Sequence, residues 1–146
     1  MSDSLQLKLV TLLGEKLNVP IYEAILESKS GVITVLPGHE PLVTLLAPGE
    51  MAIRYRKEDP DSKMDYLAIS GGVAEISQRE IVILADEAES ERDLTEKEAL
   101  EAYERAKAAA EKVTDAIELE EAKRLVQHQA ARLKVAKLKR RHREMK

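Results

Sequence analysis

All six glycines and all five prolines of this 146-residue chain lie at or before Gly72, and the 74 residues that follow contain neither. Glycine and proline punctuate turns and interrupt helices, so their segregation marks a change of architecture partway along the chain. Before the change, elements must be short. After it, nothing interrupts a helix.

The first half reads as strands. Leu5, Leu7 and Leu9 alternate with Gln6 and Lys8, the period-two signature of a strand with one buried face. Apolar or β-branched runs follow at 19–26, 32–36, 42–47, 51–56, 66–70, 73–76 and 81–85. Turn residues separate them: Ser30-Gly31, Pro37-Gly38, Pro48-Gly49, Glu58-Asp59-Pro60-Asp61, Gly71-Gly72 and Ser77 to Glu80. Many short strands at regular spacing, without a crossover helix between them, predict a sandwich or flattened barrel.

The second half changes period from two to 3.6. Thr95 and Glu98 have the spacing of a capping box, in which the hydroxyl and the carboxylate each satisfy an orphan backbone N–H. The first helix, about 96–113, carries Ala99, Ala102, Tyr103, Ala106, Ala109, Ala110 and Val113 on one face. Thr114-Asp115 offers a turn and a new cap. The second helix, about 118–144, carries Leu119, Ala122, Leu125, Val126, Gln129, Leu133 and Ala136. Two apolar stripes joined by a short turn predict an antiparallel hairpin. The second stripe ends at Arg140, which leaves Lys137 to Lys146 as a basic overhang.

Composition narrows the function classes. Hydrophobic residues make up 44%, but Phe and Trp are absent and Tyr22, Tyr55, Tyr66 and Tyr103 are the only aromatics. Ring-stacking platforms for sugars or single-stranded nucleic acid are therefore disfavoured. Without cysteine there is no disulfide frame, thiol nucleophile or Cys-based metal site. Asp3 precedes the first apolar stretch where a secretory leader would be basic, so a leader is not expected. Phosphate loops, dinucleotide fingerprints and nucleophile elbows are missing too, and His39, His128 and His142 have no metal-ligand spacing. These absences predict a chain without catalytic residues, metal or cofactor.

Charge is segregated as sharply as glycine. Residues 1–120 hold 13 Lys or Arg against 25 Asp or Glu, while residues 121–146 hold 10 against only Glu121 and Glu144. Such asymmetry suggests an acidic partner for the C-terminal end. A reader motif for nucleic acid does not accompany it. The most distinctive local stretch is Leu36-Pro37-Gly38-His39-Glu40-Pro41-Leu42-Val43. A turn stiffened by two prolines suits docking, since little ordering entropy is lost, and it also suits a plain solvated corner.

Taken in order, these stretches resemble the epsilon subunit of bacterial and chloroplast F-type ATP synthases, whose mitochondrial counterpart is called delta. Leu7 to Thr11 is similar to the family's opening strand, and Leu36-Pro37-Gly38-His39 with Pro41-Leu42 to its proline-glycine-histidine turn. Ser70-Gly71-Gly72 with Glu75 resembles its Ser-Gly-Gly…Glu signature, and Ile83-Leu84-Ala85-Asp86 leads into the acidic linker and Ala-rich hairpin.

The resemblance implies an antiparallel β-sandwich head of about ten strands over 1–88 and a helical-hairpin arm over 89–146. It implies a non-catalytic central-stalk rotor subunit of a proton-translocating synthase, coupling gamma to the c ring. Its arm would inhibit ATP hydrolysis by meeting the catalytic alpha and beta subunits. Implied interface residues are Pro37, Gly38, His39, Gly71 and Gly72. The implied inhibitory residues are Arg124, Arg132, Lys134, Lys137, Lys139, Arg140, Arg141 and Arg143. Relatives that bind ATP carry Ile/Leu-Asp-x-x-Arg-Ala where the first helix begins. Here Thr95 replaces the acid and Glu98 the arginine, so ATP binding is expected to be weak or absent. Ser30-Gly31-Val32-Ile33 is neutral where relatives often present an acid to the c ring. The expected location is peripheral, on the cytoplasmic face of a bacterial inner membrane in preference to an organelle matrix or stroma, held through the complex and not inserted. A sandwich-plus-hairpin adaptor outside any ATP synthase is the alternative reading.

Overall fold

The computed structural model describes the backbone of residues 3–144 and the side chains of residues 3–138. Its strands are β1 (Leu5–Thr11), β2 (Gly14–Ile21), β3 (Glu23–Ser28), β4 (Gly31–Val35), β5 (Leu42–Leu46), β6 (Gly49–Arg54), β7 (Asp65–Ile69), β8 (Gly72–Ile76), β9 (Glu80–Leu84) and β10 (Ala88–Ser90). Two helices follow, α1 (Glu96–Glu111) and α2 (Ala116–Glu144). Among the described residues, no helix is long and apolar enough to cross a membrane.

The strands form one hydrogen-bonded path, β10-β7-β6-β3-β5-β8-β9-β1-β2, with β4 on the free side of β3. Between β3 and β5 the register consists of the single pair Ser28↔Leu46. The path therefore folds there into two layers, β4-β3-β6-β7-β10 and β5-β8-β9-β1-β2. Pairing is antiparallel apart from β1 with β9, which is parallel. Inward residues of both layers make an aliphatic core: Leu5, Leu7, Leu9, Leu26, Met51, Ile53, Ile76, Ile81 and Ile83 are essentially inaccessible. The alternation in β1 predicts this, with Gln6 and Lys8 exposed.

Three expectations meet corrections. The run 19–26 is two strands, broken at Tyr22, whose N–H donates to Arg54 O at 2.9 Å. A signal for that break lies in the phase of the pattern: Ile21 is buried at an odd position, Ala24 and Leu26 at even ones. A period-two pattern that slips by one residue must change face or turn a corner. Second, Thr95 is the N-cap residue of α1 but its hydroxyl makes no capping bond, and Glu98 is exposed. The reciprocal box forms five residues earlier, where the Asp93 carboxylate accepts the Ser90 N–H at 3.0 Å and the Ser90 hydroxyl at 3.2 Å. Third, Leu125, placed on the apolar stripe of α2, is 48% exposed. Asp115 does cap α2, accepting the Ile117 N–H at 2.8 Å.

The last head strand, β10, pairs with β7 from Ala88↔Ile69 to Ser90↔Leu67, so a boundary after Ala88 falls inside a strand. Gly71 and Gly72 lead into β8 with φ of +103° and +146°. A Cβ on Gly72 would stand 2.1 Å from Leu84 O. Only glycine allows the backbones of β8 and β9 to come this close.

Candidate functional site

Two surfaces carry features that the fold itself does not require, and they lie on opposite outer faces of the sandwich. The first is the outer face of β5, β8, β9 and β1. Leu45 pairs with Val73, Val73 with Leu84, and Leu84 with Val10, giving an apolar row straight across four strands. Leu45 and Leu84 are 52% and 54% exposed, and Val43 in the adjacent row, opposite Glu75, is 68% exposed. Large aliphatics aligned on a solvent-facing sheet mark an interaction surface, where scattered ones would not.

The Pro37-Gly38-His39 turn borders this face. Gly38 has φ of +88°, and its N–H donates to Gln78 O at 2.8 Å, tying the turn to the β8–β9 corner. His39 Nδ1 donates to Glu40 O at 2.7 Å, which fixes that tautomer because a carbonyl only accepts. Pro37-Gly38-His39 and Gly71-Gly72 are not brought together: β5 and β8 pair from Leu42↔Ile76 to Leu46↔Gly72, with the histidine turn at the first end and the glycines at the second.

The second surface is the outer face of β6, β7 and β10, on which α2 lies. Ala131, Leu133, Val135 and Ala136 are all buried. Within six residues of helix these positions span more than one face. This stretch is therefore enclosed twice, by α1 on one side and by β6 and β7 on the other. Ala68, Leu94, Ala99, Tyr66 and Tyr103 complete a second, smaller core. The N-terminal part of α2 meets α1 alone, which is why Leu125 is exposed.

Polar contacts flank that core. Arg132 forms a fork on Glu89, with Nε to Oε1 at 2.7 Å and Nη2 to Oε2 at 3.2 Å, and Nη1 reaches Gln129 at 2.6 Å. Lys134 Nζ meets Glu50 at 2.7 Å, which raises the lysine pKa. Burial and the nearby Glu50 charge push Glu27 above the usual carboxylate range. Lys16 holds Asp93 at 2.7 Å, keeping that carboxyl below its ordinary value. Arg124 lines the groove between Leu12 and Ser70-Gly71-Gly72, and Lys137 is exposed. Lys139, Arg140, Arg141 and Arg143 lie outside the described side chains.

Beside the Arg132 fork, the fold joins residues that sequence spacing leaves unconnected. Glu87, Glu89 and His128 bring ligand-type atoms within 4.8 Å of one another. His128 is 7% exposed, and burial, the largest cause, holds its pKa below the ordinary value. The partners Glu50, Glu87 and Glu89 were legible only as acidic residues. Period two places Glu87 and Glu89 on one face, but nothing in the sequence says that a helix forty residues on covers that face.

An antiparallel sandwich with a two-helix arm, bare on one outer face and covered on the other, defines a protein that docks and does not catalyse through a cleft. The beta-sandwich domain of the ATP synthase delta/epsilon chain matches residues 4–91, more than half of the sequence. The epsilon chain of Psychrobacter cryohalolentis is 37% identical over 70% of this chain and 72% of that one. The chloroplastic epsilon chain of Zygnema circumcarinatum is 44% identical over 56% of this chain, and the match spans 57% of its length. A chain in the Euglena gracilis mitochondrial ATP synthase structure, OSCP/F1/c-ring in rotational state 1, superposes with a TM-score of 0.74 at 23% identity. That superposition covers 90% of this chain and 80% of the other, and carries the fold. The chain belongs to the epsilon-chain family of ATP synthases.

Proposed function

We propose that this chain is the non-catalytic central-stalk subunit of a proton-translocating ATP synthase, joining gamma to the c ring and restraining ATP hydrolysis through α1 and α2. The observation that carries this reading is the pairing of a bare apolar sheet face with an arm whose contact with the head is mainly alanine methyls and two ion pairs. The bare face and the Pro37-Gly38-His39 turn take gamma. The arm is seated weakly enough to leave. Each buried methyl-sized group contributes only about 0.8 kcal/mol, against the ordering entropy of a long helical pair.

In this reading the cations of α2 have two alternative sets of partners. With the arm docked, Arg132 and Lys134 face the head's Glu89 and Glu50. With the arm extended, they join Arg124, Lys137, Lys139, Arg140, Arg141 and Arg143 in gripping acidic surface on the catalytic alpha and beta subunits. One exposed ion pair contributes about 0–1 kcal/mol, so restraint needs several acting together. Thr95 and Glu98 leave the start of α1 without the cation that a nucleotide phosphate would need, and ATP is not part of the switch. The head spans the strands through β10 and the arm the two helices. The subunit sits peripherally on the cytoplasmic face of a bacterial membrane, through its complex.

The test is ATP hydrolysis by the assembled complex, comparing the full chain with one ending at Ala136. Removing the basic overhang raises hydrolysis at low salt. The difference shrinks at high salt, where the Debye length falls to about 3 Å. Equal rates at low salt would sink the grip.

A further inference from the structure

We infer that Glu87, Glu89 and His128 form a binding site for a zinc-like divalent metal ion that pins α2 to the edge of the sandwich. Glu87 and Glu89 stand two residues apart on extended chain, so both side chains leave the same face. His128 comes from α2, which crosses that face. The three ligand-type atoms lie within 4.8 Å of one another, and His128 Nε2 is 4.0 Å from Glu87 Oε2.

Independent of the carboxylates is the state of the imidazole. His128 is 7% exposed, and its Nε2 is fully buried without a hydrogen-bond partner among the described residues. A 4.0 Å approach to Glu87 is too long for a hydrogen bond. A buried acceptor left unpaired is costly, and structures rarely tolerate one without a reason. A metal ion supplies the missing partner. In a tetrahedral zinc site, bonds of about 2.0–2.2 Å put ligand atoms roughly 3.4 Å apart. Glu87, whose side chain is 63% exposed, can move the remaining distance by rotation and leave a solvent position open.

Charge and donor type point to the same class of ion. Two carboxylates face one guanidinium, Arg132, so the cluster carries a surplus negative charge. Each oxygen of Glu89 keeps a lone pair while Arg132 holds it. One imidazole nitrogen with two carboxylates favours zinc and its neighbours over calcium or magnesium, which prefer all-oxygen shells. Bound there, the ion crosslinks β10 to α2 and holds the arm in its docked position. The site stands independently of the central-stalk reading, since it needs only the head and the arm of this chain.

The experiment is calorimetric titration of the full-length, chelator-stripped chain with zinc ion alone, paired with hydrogen exchange of the α2 amides. One zinc per chain is expected, with slower exchange at 128–136 on binding. Glu87→Gln changes an exposed side chain and leaves folding intact. It is expected to weaken binding by about tenfold or more and to remove the added protection. His128→Gln should do the same, while His39→Gln binds as the parent does. Absence of binding at millimolar zinc overturns the site, as does equal affinity in parent, Glu87→Gln and His128→Gln. Tight binding without slower exchange in α2 overturns the pinning.

Discussion

The two outer faces of the sandwich are built from different side chains, and the difference explains why one is covered and the other bare. Where α2 lies, the strands present small residues and acids: Ala52 and Ala68 flat against the sheet, Glu50 and Glu89 at the sides. On the opposite face stand Val43, Leu45, Val73 and Leu84, large, branched and exposed. A helix lined with alanine can approach the first face closely and gain little by it. The second face would gain far more from being covered, and the chain covers it with nothing of its own. Strong apolar surface is reserved for a partner; weak apolar surface serves an arm that must come and go.

The largest effect should come from placing charge on the bare face. Leu45→Asp or Leu84→Asp should leave the isolated chain's stability within about 0.5 kcal/mol. Either should weaken capture of the proposed gamma partner by about 2 kcal/mol or more, as loss of an interface anchor does. Undiminished capture in a pull-down would break the comparison at its base. Next comes the covered face. Ala68→Leu overpacks a site with no accessible surface, at a cost of about 1–3 kcal/mol, and should unseat α2. Hydrogen exchange would show the helix losing protection while the strands keep theirs. In a chain ending after Asp93 the same substitution should be neutral; a loss there would place Ala68 in the sandwich's own stability.

The ion pairs should rank by burial. Arg132 and Glu89 are 21% and 23% exposed, so Arg132→Ala should cost the docked arm about 1–2 kcal/mol. Lys134 is 69% exposed, and Lys134→Ala should cost less than about 1 kcal/mol and fade with salt. Denaturant melting of the two variants at low and high salt separates them. The smallest effect belongs to Asp93. Lys16 holds its pKa below the ordinary value, so the stabilisation is present above about pH 4 and is lost as pH falls further. Asp93→Asn should lower stability by less than about 1 kcal/mol at pH 7, and the deficit should vanish near pH 3. A deficit that persists in acid would assign the effect to packing.

Elements whose burial follows local periodicity were legible in the sequence. Leu5, Leu7 and Leu9 declare β1, and the glycine-free second half declares two helices with Asp115 between them. Contacts between distant segments were less so. Ala131 and Val135 fall off the stripe that faces α1, and only the presence of β6 and β7 behind them explains their burial. The Thr95–Glu98 spacing satisfies a capping rule whose bonds do not form, because Ser90 and Asp93, held by Lys16, settle the entry to α1 first. The interface turn was legible from Pro37-Gly38-His39, whereas Glu87, Glu89 and His128 needed the fold to meet.

The join between the two layers has a mechanical meaning. Ser28↔Leu46 is their one backbone pair, bracketed by hydrogen bonds from Lys29 to Leu45 and from Ala47 to Glu27. A sideways push on the bare layer therefore reaches the covered layer chiefly through the interlocked leucines and isoleucines between them. Close-packed aliphatics compress little and shear poorly. The head behaves as a stiff gasket, and its core carries stress from one face to the other as well as holding the strands together.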